Sequence, residues 1–480
     1  MGTIQKILRF GLGFLGIGLL HPAWAQLPFV QGEVLVKYKQ GVLRERVSMN
    51  ALYDSVGASR VHRFHGAVGS FEKLVLDDRQ GVAEVVSRLQ NEDSVEWAQP
   101  NYLLHLLPVF PAAERQVREP QIETLPFAPW ASELAGLSPW DDSGSEAEIS
   151  RRKPKKDPSF DRPRIHPLPL HEPEVVVDPD LAQAYGLSKI GAPQVWPFAR
   201  GSRSIIVADI DTGVDYNHPD LVFNIWRNPH PVKNDLVGFD FVHQDGLPYD
   251  DNEHGTHVAG IIGAVGSNGL GVSGVSQRVS IMVLKFLSGS GSGTTSDAIE
   301  AIDYAVSHGA KVLNNSWGSS GGSGKDNQLL IEAFHRARDR GVLFIAAAGN
   351  EGNDNDGEEA DYPAAFHLEN EIAVAASDEK DELAEFSNYG KKTTHLAAPG
   401  VNIYSTVPGG GYRALSGSSM AAPMVSGAAA LLWSAHPDWT DQQIKQALLD
   451  SVDAIPSLKA KVSTGGRLNV ANAFFRRIGH

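Results

Sequence analysis

The chain contains the segment Gly417-Ser418-Ser419-Met420-Ala421-Ala422-Pro423, which continues as MVSGAAALLW through Trp433. Small residues fill the first turns and apolar residues then follow on every side, which predicts a helix buried at the centre of a domain. Pro423 is assigned to the first turn, where its missing N–H costs little. A serine at the start of such a helix lies among free backbone N–H groups, which would stabilise an oxyanion. The alternative is that Ser418 or Ser419 only caps the helix.

Two earlier segments favour a catalytic serine. Residues 205–215 read IIVADIDTGVD, and residues 254–260 read HGTHVAG. Together with the serine segment, they give the order aspartate, histidine and serine along the chain. A carboxylate, an imidazole base and a hydroxyl are the groups that together make a serine nucleophilic.

A fourth segment, residues 346–352, reads AAAGNEG and supplies Asn350. The four segments, in this order and at this spacing, resemble the signatures of the subtilisin-like serine proteases (subtilases). The resemblance covers roughly residues 178–475. It implies a subtilisin-like α/β fold and a serine endopeptidase that hydrolyses peptide bonds through an acyl-enzyme intermediate.

The resemblance also implies a role for each residue. Ser419 would be the nucleophile, because a neutral hydroxyl needs a base to become reactive. His254 would take its proton and later return it to the leaving amine, while Asp211 would hold the imidazole in the right tautomer. The side chain of Asn350 would donate to the oxyanion, with the Ser419 backbone N–H as second donor.

Three nearby residues need separate interpretations. His257 lies three positions after His254 and suggests a metal pair, but the common zinc helix spaces its histidines by four. The resemblance makes His257 structural and makes Ser418, one position from the matched nucleophile, a cap of the helix. Asp209 stands where the family usually has an apolar residue, and it shares a strand face with Asp211. If Asp209 is buried, it needs a hydrogen-bond partner or a proton.

Four regions are predicted along the chain, namely a signal peptide (1–25), a propeptide domain (26–107), a Pro-rich linker (108–177) and a subtilisin-like catalytic domain (178–480). The first region has early positive charge, an apolar run too short to span a bilayer and the cleavage site Ala23-Trp24-Ala25. We therefore expect a protein secreted to the extracellular or periplasmic space. No later run predicts a transmembrane helix once the signal is removed.

The region after the signal alternates strand-like and helical runs in the order β-α-β-β-α-β, which predicts a small ferredoxin-like α+β domain. Its end, residues 95–102, reads VEWAQPNY and resembles the terminus of the inhibitory, chaperone-like propeptide of subtilases. The resemblance implies that this domain covers the catalytic face and lays its tail through the substrate cleft. The alternative is an unrelated ferredoxin-like module.

The linker holds 12 of the 28 prolines of the chain. Proline disrupts helices and sheet interiors, so most of this region is expected to be irregular or extended. Its basic run Arg151–Lys156 is interpreted as a solvated charged loop. Our hypothesis for maturation is a first cleavage near Leu107, followed by self-trimming in or near the basic run.

The catalytic region alternates strand-like and helical runs, which predicts a doubly wound, mostly parallel sheet with helices on both faces. Active sites of such sheets lie at the carboxyl ends of the strands. Asp211 ends the first strand-like run and Asn350 follows the fourth. Both residues are therefore expected at the same edge of the sheet.

The resemblance implies that a polypeptide substrate binds as an added strand between two extended segments. Ser292 and Gly293 match one segment, and Ser316, Trp317 and Gly318 match the other. Glycines at these positions allow a close approach of the substrate backbone.

Three residues are assigned to the pocket for the side chain before the scissile bond. Ala348 and Gly349 resemble one wall of that pocket, and Asp361 aligns with its base. A carboxylate there would favour an arginine or lysine side chain. The alternative is that Asp361 points to solvent or binds an ion, and that the pocket prefers large apolar residues.

Structural calcium is the implied metal, bound through oxygen ligands. The resemblance assigns side-chain oxygens of Asp178, Asp220 and Asn268 and the carbonyls of Gly266, Leu270 and Val272. The acidic runs at 250–251 and 354–361 are expected to be solvated loops, and the alternative is that they are further calcium sites.

Composition excludes several other functions. The formal charge of −15 argues against nucleic acid or an anionic membrane as the main partner, and the absence of cysteine excludes disulfides and thiol catalysis. Two alternatives remain, a catalytically inactive subtilase kept as a binding or scaffold protein and a metal hydrolase that uses His254 and His257.

Overall fold

A computed structural model describes residues 28–39, 46–66, 69–77, 80–111, 162–169, 175–320 and 326–476. The predicted signal peptide, most of the predicted linker and the basic run Arg151–Lys156 lie outside these residues. None of the helices within the described ranges is long and apolar enough to cross a bilayer.

The N-terminal domain has the predicted order of elements, which are β1 (Phe29–Tyr38), α1 (Arg46–Ser55), β2 (Ala58–Gly66), β3 (Gly69–Leu76), α2 (Val82–Gln90) and β4 (Val95–Leu106). Its strands pair antiparallel in the order β4-β1-β3-β2. Helix α2 buries Val82, Val85, Val86 and Leu89, whose spacing puts them on one face. That face packs against the sheet and gives this domain its own core.

The rest of the described chain is a larger α/β domain. Its strands, with the short β5 that precedes it, are β5 (Phe110–Pro111), β6 (Gly201–Asp211), β7 (Gly238–Asp240), β8 (Arg278–Lys285), β9 (Ser292–Thr294), β10 (Val312–Asn315), β11 (Trp317–Ser320), β12 (Leu343–Ala347), β13 (Asp361–Tyr362), β14 (Glu371–Ser377), β15 (Leu396–Pro399), β16 (Ile403–Val407), β17 (Gly411–Ser416), β18 (Asp453–Ala454) and β19 (Gly466–Arg467). Its helices are α3 (Tyr185–Lys189), α4 (Ala192–Val195), α5 (His254–Gly263), α6 (Thr295–Ser307), α7 (Gln328–Arg338), α8 (Ser418–Ala435), α9 (Asp441–Leu449) and α10 (Val470–Phe475).

Nine strands form the central sheet in the order β18-β19-β15-β14-β12-β10-β6-β8-β7. Its neighbouring strands are parallel except for the pair β18 and β19. Successive side chains of a strand point to opposite faces. Accordingly, Val207 joins the core that contains α5 and α8, and Ala208 joins the core that contains α6 and α7. Helices cover both faces, as the sequence predicted.

Helix α8 is buried from Ser418 through Trp433, as predicted. Pro423 is its sixth residue, so its assignment to the first turn was wrong, because the helix already begins at Ser418. A proline there removes the N–H that would bond the carbonyl four residues earlier, which belongs to Ser419. The hydroxyl of Ser316 donates to that carbonyl at 3.1 Å instead. The carbonyl of Ser419, which Pro423 leaves without a helical partner, therefore bonds helix α8 to Ser316 between β10 and β11.

Strand β4 joins the two domains. It pairs with β1 on one edge and reaches β9 and β11 with its C-terminal part. Two of its side chains also bond the starts of helices: Leu329 N donates to Gln99 Oε1 at 3.2 Å, and Ser296 N donates to Asn101 Oδ1 at 3.0 Å. The first N–H groups of a helix have no partner within the helix. These two contacts therefore give a hydrogen-bond acceptor to one such N–H group in α7 and one in α6.

Candidate active site

An aspartate and a histidine from two adjacent elements form a buried pair. Asp211 ends β6 and His254 begins α5, and both side chains are excluded from solvent. His254 Nδ1 lies 2.8 Å from Asp211 Oδ1, which also accepts a hydrogen bond from Thr212 N at 2.7 Å. The carboxylate can therefore hold the imidazole with Nδ1 protonated and leave Nε2 as the base.

The turn before His254 is organised by a carboxylate that we expected in a solvated loop. Asp250 is buried and accepts hydrogen bonds from the backbone N–H groups of Asn252 and Glu253, both at 2.9 Å. Its other oxygen accepts from Thr256 N at 2.8 Å. The solvated interpretation was wrong because the turn folds around this side chain. The only sequence signal was an acidic residue shortly before the start of a helix.

The candidate nucleophile lies at the second position of α8. Ser419 Oγ donates to the Ser316 carbonyl at 3.1 Å. His254 Nε2 is buried and has no hydrogen-bond partner among the described residues. The Asp–His pair is therefore formed, whereas a His–Ser hydrogen bond is not formed in this state.

Asn350 is oriented by the start of the same helix. Its Oδ1 accepts from Ser418 N at 2.8 Å, which turns its Nδ2 outward to donate to the Pro108 carbonyl at 2.7 Å. Ser418 does not cap α8, so the prediction made from its position was wrong. Its hydroxyl instead accepts from Gly349 N at 3.1 Å, because a neighbouring loop brings that donor within reach.

The cleft beside these residues is filled by the end of β4. Leu104 pairs with Gly293, and His105 lies opposite both Ser292 and Gly318. Leu106 pairs with Trp317, and its N–H donates to the Gly291 carbonyl at 2.7 Å. The chain then continues into β5, which pairs with β17. The two segments predicted to hold a substrate backbone thus hold a strand of the protein itself.

A pocket wall adjoins this strand. Asp361 lies between two glycines: a Cβ placed on Gly318 would be 2.4 Å from its Oδ1, and one placed on Gly349 would be 2.7 Å from its Oδ2. The same position on Gly318 is 3.1 Å from Cδ2 of Leu107. The backbone of Ala348 runs along this wall, and its carbonyl accepts from Asn355 Nδ2 at 2.7 Å. Asp361 is only 2% exposed, so it does not point to solvent.

Burial disfavours the charged form of two further side chains near the site, those of His257 and Asp209. Burial lowers the pKa of His257 to about 3, and its Nε2 lies 3.1 Å from the Arg413 carbonyl, which fits a neutral structural histidine. Burial, with Asp211 and Asp250 nearby, raises the pKa of Asp209 well above its usual range. Among the described residues, Asp209 accepts a long hydrogen bond from Asn314 Nδ2 at 3.4 Å, so burial disfavours its charged form.

The candidate calcium residues come together around the loop 266–272. Asp178 accepts from Ser267 N at 2.8 Å and from Asn268 N at 2.9 Å, and Asp220 accepts from Val272 N at 3.1 Å. Both carboxyl groups are buried, and Asn268 Nδ2 lies 2.7 Å from Asp220. Two buried carboxylates beside a carbonyl-bearing loop fit a hard cation. The described residues contain no group of three or more acidic or histidine side chains that could hold a metal.

Comparison with known proteins extends beyond the motifs. Residues 202–475 match the family model "Subtilase family", and residues 23–101 match the fervidolysin N-terminal prodomain. The chain is 41% identical over 274 residues to thermitase of Thermoactinomyces vulgaris, a match that covers 57% of this chain and 90% of thermitase. It is 34% identical over 445 residues to a thermophilic serine proteinase of Bacillus sp. strain AK1, covering 93% of this chain and 88% of the relative.

A third relative is subtilisin E of Bacillus subtilis strain 168, which is 40% identical over 265 residues, with 55% of this chain and 64% of the relative covered. The family match includes more than half of the chain and all four motif segments. The second family match covers most of the small domain and ends at residue 101 in β4, just before the residues of that strand that fill the cleft. The chain belongs to the subtilase family and is a serine endopeptidase with an N-terminal prodomain.

Proposed function

We propose that the protein is a secreted endopeptidase, made as a proenzyme that processes itself, with Asp211, His254 and Ser419 as its catalytic triad. The observation that carries this proposal is the 2.8 Å contact between His254 Nδ1 and Asp211 Oδ1 at the start of the cleft. It leaves Nε2 of a buried imidazole without a partner among the described residues, and this nitrogen is therefore free to act as general base.

Proton transfer follows from this arrangement. When the hydroxyl of Ser419 turns away from the Ser316 carbonyl, His254 Nε2 accepts its proton and the oxygen attacks the substrate carbonyl. Asp211 stabilises the resulting imidazolium, which then protonates the leaving amine. Water repeats the sequence on the acyl-enzyme and releases the second product.

Charge on the attacked carbonyl needs donors that are already oriented. Asn350 has its amide oxygen bonded by Ser418 N, so its Nδ2 is available to the oxyanion without reorganisation. The Ser419 backbone N–H, at the start of α8, is the second donor. In subtilisin, loss of the asparagine donor is known to lower turnover by about 10²–10³, and we expect a loss of the same order here.

Calcium is proposed as a structural ligand held by Asp178, Asp220, Asn268 and the carbonyls of the loop 266–272. A bound divalent cation would offset the cost of burying two carboxylates next to each other and takes no part in the chemistry. Secretion through the N-terminal signal, and inhibition by the protein's own prodomain, complete the proposed function.

The first test is Ser419→Ala in the purified proenzyme, with Ser434→Ala on the same helix as the matched control. We expect Ser419→Ala to lose peptide hydrolysis, labelling by a phosphonofluoridate and removal of the prodomain, because all three need the hydroxyl. Ser434→Ala should keep all three. Normal maturation of Ser419→Ala without another protease would contradict the triad, and an unlabelled wild type would support an inactive scaffold.

A further inference from the structure

The pocket beside the cleft contains an acidic side chain that the catalytic mechanism does not use. Asp361 occupies the space between Gly318 and Gly349, where a side chain on either glycine would collide with its carboxyl group. It is held there by β13, in which Asp361 lies opposite Ser320 of β11. Because β11 also flanks the strand in the cleft, this carboxyl group lies against the position of a substrate side chain.

Asp361 forms no salt bridge with the described residues in the present state. Neither carboxyl oxygen makes a hydrogen bond of normal geometry with the described residues. Burial raises the pKa of Asp361 well above its usual range, and the carboxylate of Glu351 raises it further, through its charge and through a side-chain contact with Asp361. The N–H groups of Tyr362 and Ser319 lower this pKa only in part. A buried carboxyl group without a strong partner is costly in its charged form.

The side chain now next to this carboxyl group is that of Leu107, which has neither a charge nor a hydrogen-bond donor. Leu107 is apolar, is 4% exposed and approaches the Gly318 wall beside Asp361. An arginine or lysine reaching the same place would bring a positive charge and several N–H donors to Asp361, with Glu351 as a second acidic group. A guanidinium can bond a carboxylate through two parallel hydrogen bonds, which are stronger than neutral ones.

We propose that Asp361 makes this pocket selective for substrates with arginine or lysine before the scissile bond. The proposal rests on the proposed function, because it names the substrate class of that same site. The basic side chain that enters in place of Leu107 stabilises the charged form of Asp361, which burial alone disfavours. Acidic residues are rejected by repulsion from the two carboxylates.

The test uses the matured enzyme and four chromogenic peptides that differ only in the residue before the scissile bond: arginine, lysine, phenylalanine or leucine. We expect kcat/KM for arginine to exceed that for phenylalanine by about tenfold or more, since charged hydrogen bonds have this magnitude. Asp361→Asn should lower the arginine value by a similar factor and leave the phenylalanine value within about threefold. Glu359→Gln, an exposed change of equal charge, should alter neither.

Each outcome is decisive. Hydrolysis of none of the peptides would contradict the proposed function itself. A wild type that prefers phenylalanine or leucine would overturn the selectivity proposal while leaving the protease assignment intact. If Asp361→Asn does not fold, the wild-type profile decides, together with competitive inhibition by benzamidine compared with uncharged benzamide. Only the amidinium pairs with a carboxylate, so stronger inhibition by benzamidine supports the proposal and equal inhibition contradicts it.

A different observation concerns the strand in the cleft. In a bound substrate, one residue supplies both the pocket side chain and the carbonyl that the oxyanion donors bind. Here Leu107 lies at the pocket, but the carbonyl bonded by Asn350 belongs to Pro108. Leu107 also precedes a proline, whose nitrogen has no hydrogen and whose ring crowds the carbonyl that would be attacked. We infer that this strand blocks the site as an uncut segment and that the first cleavage is not at Leu107–Pro108.

Maturation of the purified proenzyme tests this inference by intact mass and N-terminal sequencing. We expect no wild-type product that begins at Pro108, and we expect Leu107→Arg with Pro108→Ala to give one that begins at residue 108. A wild-type product starting at Pro108, or a double variant that is still uncut there, would overturn it. Absence of any processing in either protein would instead contradict self-processing.

Discussion

At the residue scale, several carboxyl groups of this protein are buried where their charge is unfavourable. Glu371 is fully buried in β14; Oε2 accepts from Leu368 N at 2.9 Å, and Oε1 has no partner among the described residues. Burial raises the pKa of Glu371 to about 8. The folded protein therefore keeps a proton that the unfolded chain releases near its usual pKa of about 4.3.

This predicts the pH dependence of one substitution. Above the unfolded pKa the unfolded state binds fewer protons, so the contribution of Glu371 to stability falls as pH rises, until the folded group ionises near pH 8. Glu371→Gln should remove this loss, so the Tm difference, variant minus parent, should rise between pH 5 and pH 8. Each pKa unit corresponds to about 1.4 kcal/mol, or roughly 2–4 °C in a domain of this size.

The measurement is thermal unfolding of both proteins in the Ser419→Ala background, which prevents self-digestion. Glu369→Gln, an exposed neighbour, is the control and should leave the pH dependence unchanged. Tm curves of Glu371→Gln and its parent that run parallel over this range would contradict the prediction.

At the scale of elements, the loop 266–272 brings together the residues that we propose as calcium ligands. It folds over Asp178 and Asp220, and Ser267 and Gly269 adopt positive φ values of 61° and 76° to turn their N–H groups toward Asp178. A cation bound beside these two buried carboxyl groups would lower the cost of burying their charges.

We predict that calcium stabilises this element without changing the chemistry. Calcium at a hundredfold excess over its Kd should add about 2.7 kcal/mol to the free energy of unfolding. Asp220→Asn should lose the rise of Tm with calcium, while Asp356→Asn, which removes a carboxylate at another loop, should keep it. Initial turnover at low temperature should be near normal in both. Identical melting of the parent in calcium and in chelator would refute this.

At the scale of the whole molecule, one sheet connects the prodomain and the protease domain. Strand β4 continues the N-terminal sheet across the cleft to β11 and β13, and its side chains complete the starts of α6 and α7. Lys37 on β1 adds an ion pair with Glu332 at 2.6 Å. The prodomain is therefore bound by backbone pairing, helix termini and charge together. Separation of the prodomain from the protease domain would expose the cleft and the pocket that contains Asp361.

Local patterns of the sequence were sufficient for the order of elements in both domains and for the residues of the Asp–His pair. Local pattern placed Asp211 at the end of an apolar strand and Ser419 in the first turn of an apolar helix. These signals are carried by neighbours in the chain, through the periodicity of strands and helices. Motif resemblance then indicated the family, which the comparisons confirmed.

Contacts between segments that are distant in the chain could not be predicted from local sequence patterns. Asp250 looks like part of a solvated acidic run until the turn before α5 folds around it, and Ser418 looks like a cap until Gly349 approaches its hydroxyl. The offset between Leu107 at the pocket and Pro108 at Asn350 depends on how a strand from one domain crosses another. The sequence by itself determined the order and type of the elements that carry the candidate residues, because local pattern sets both. Only tertiary structure decided what surrounds each of them, because burial and partners come from residues far apart in the chain.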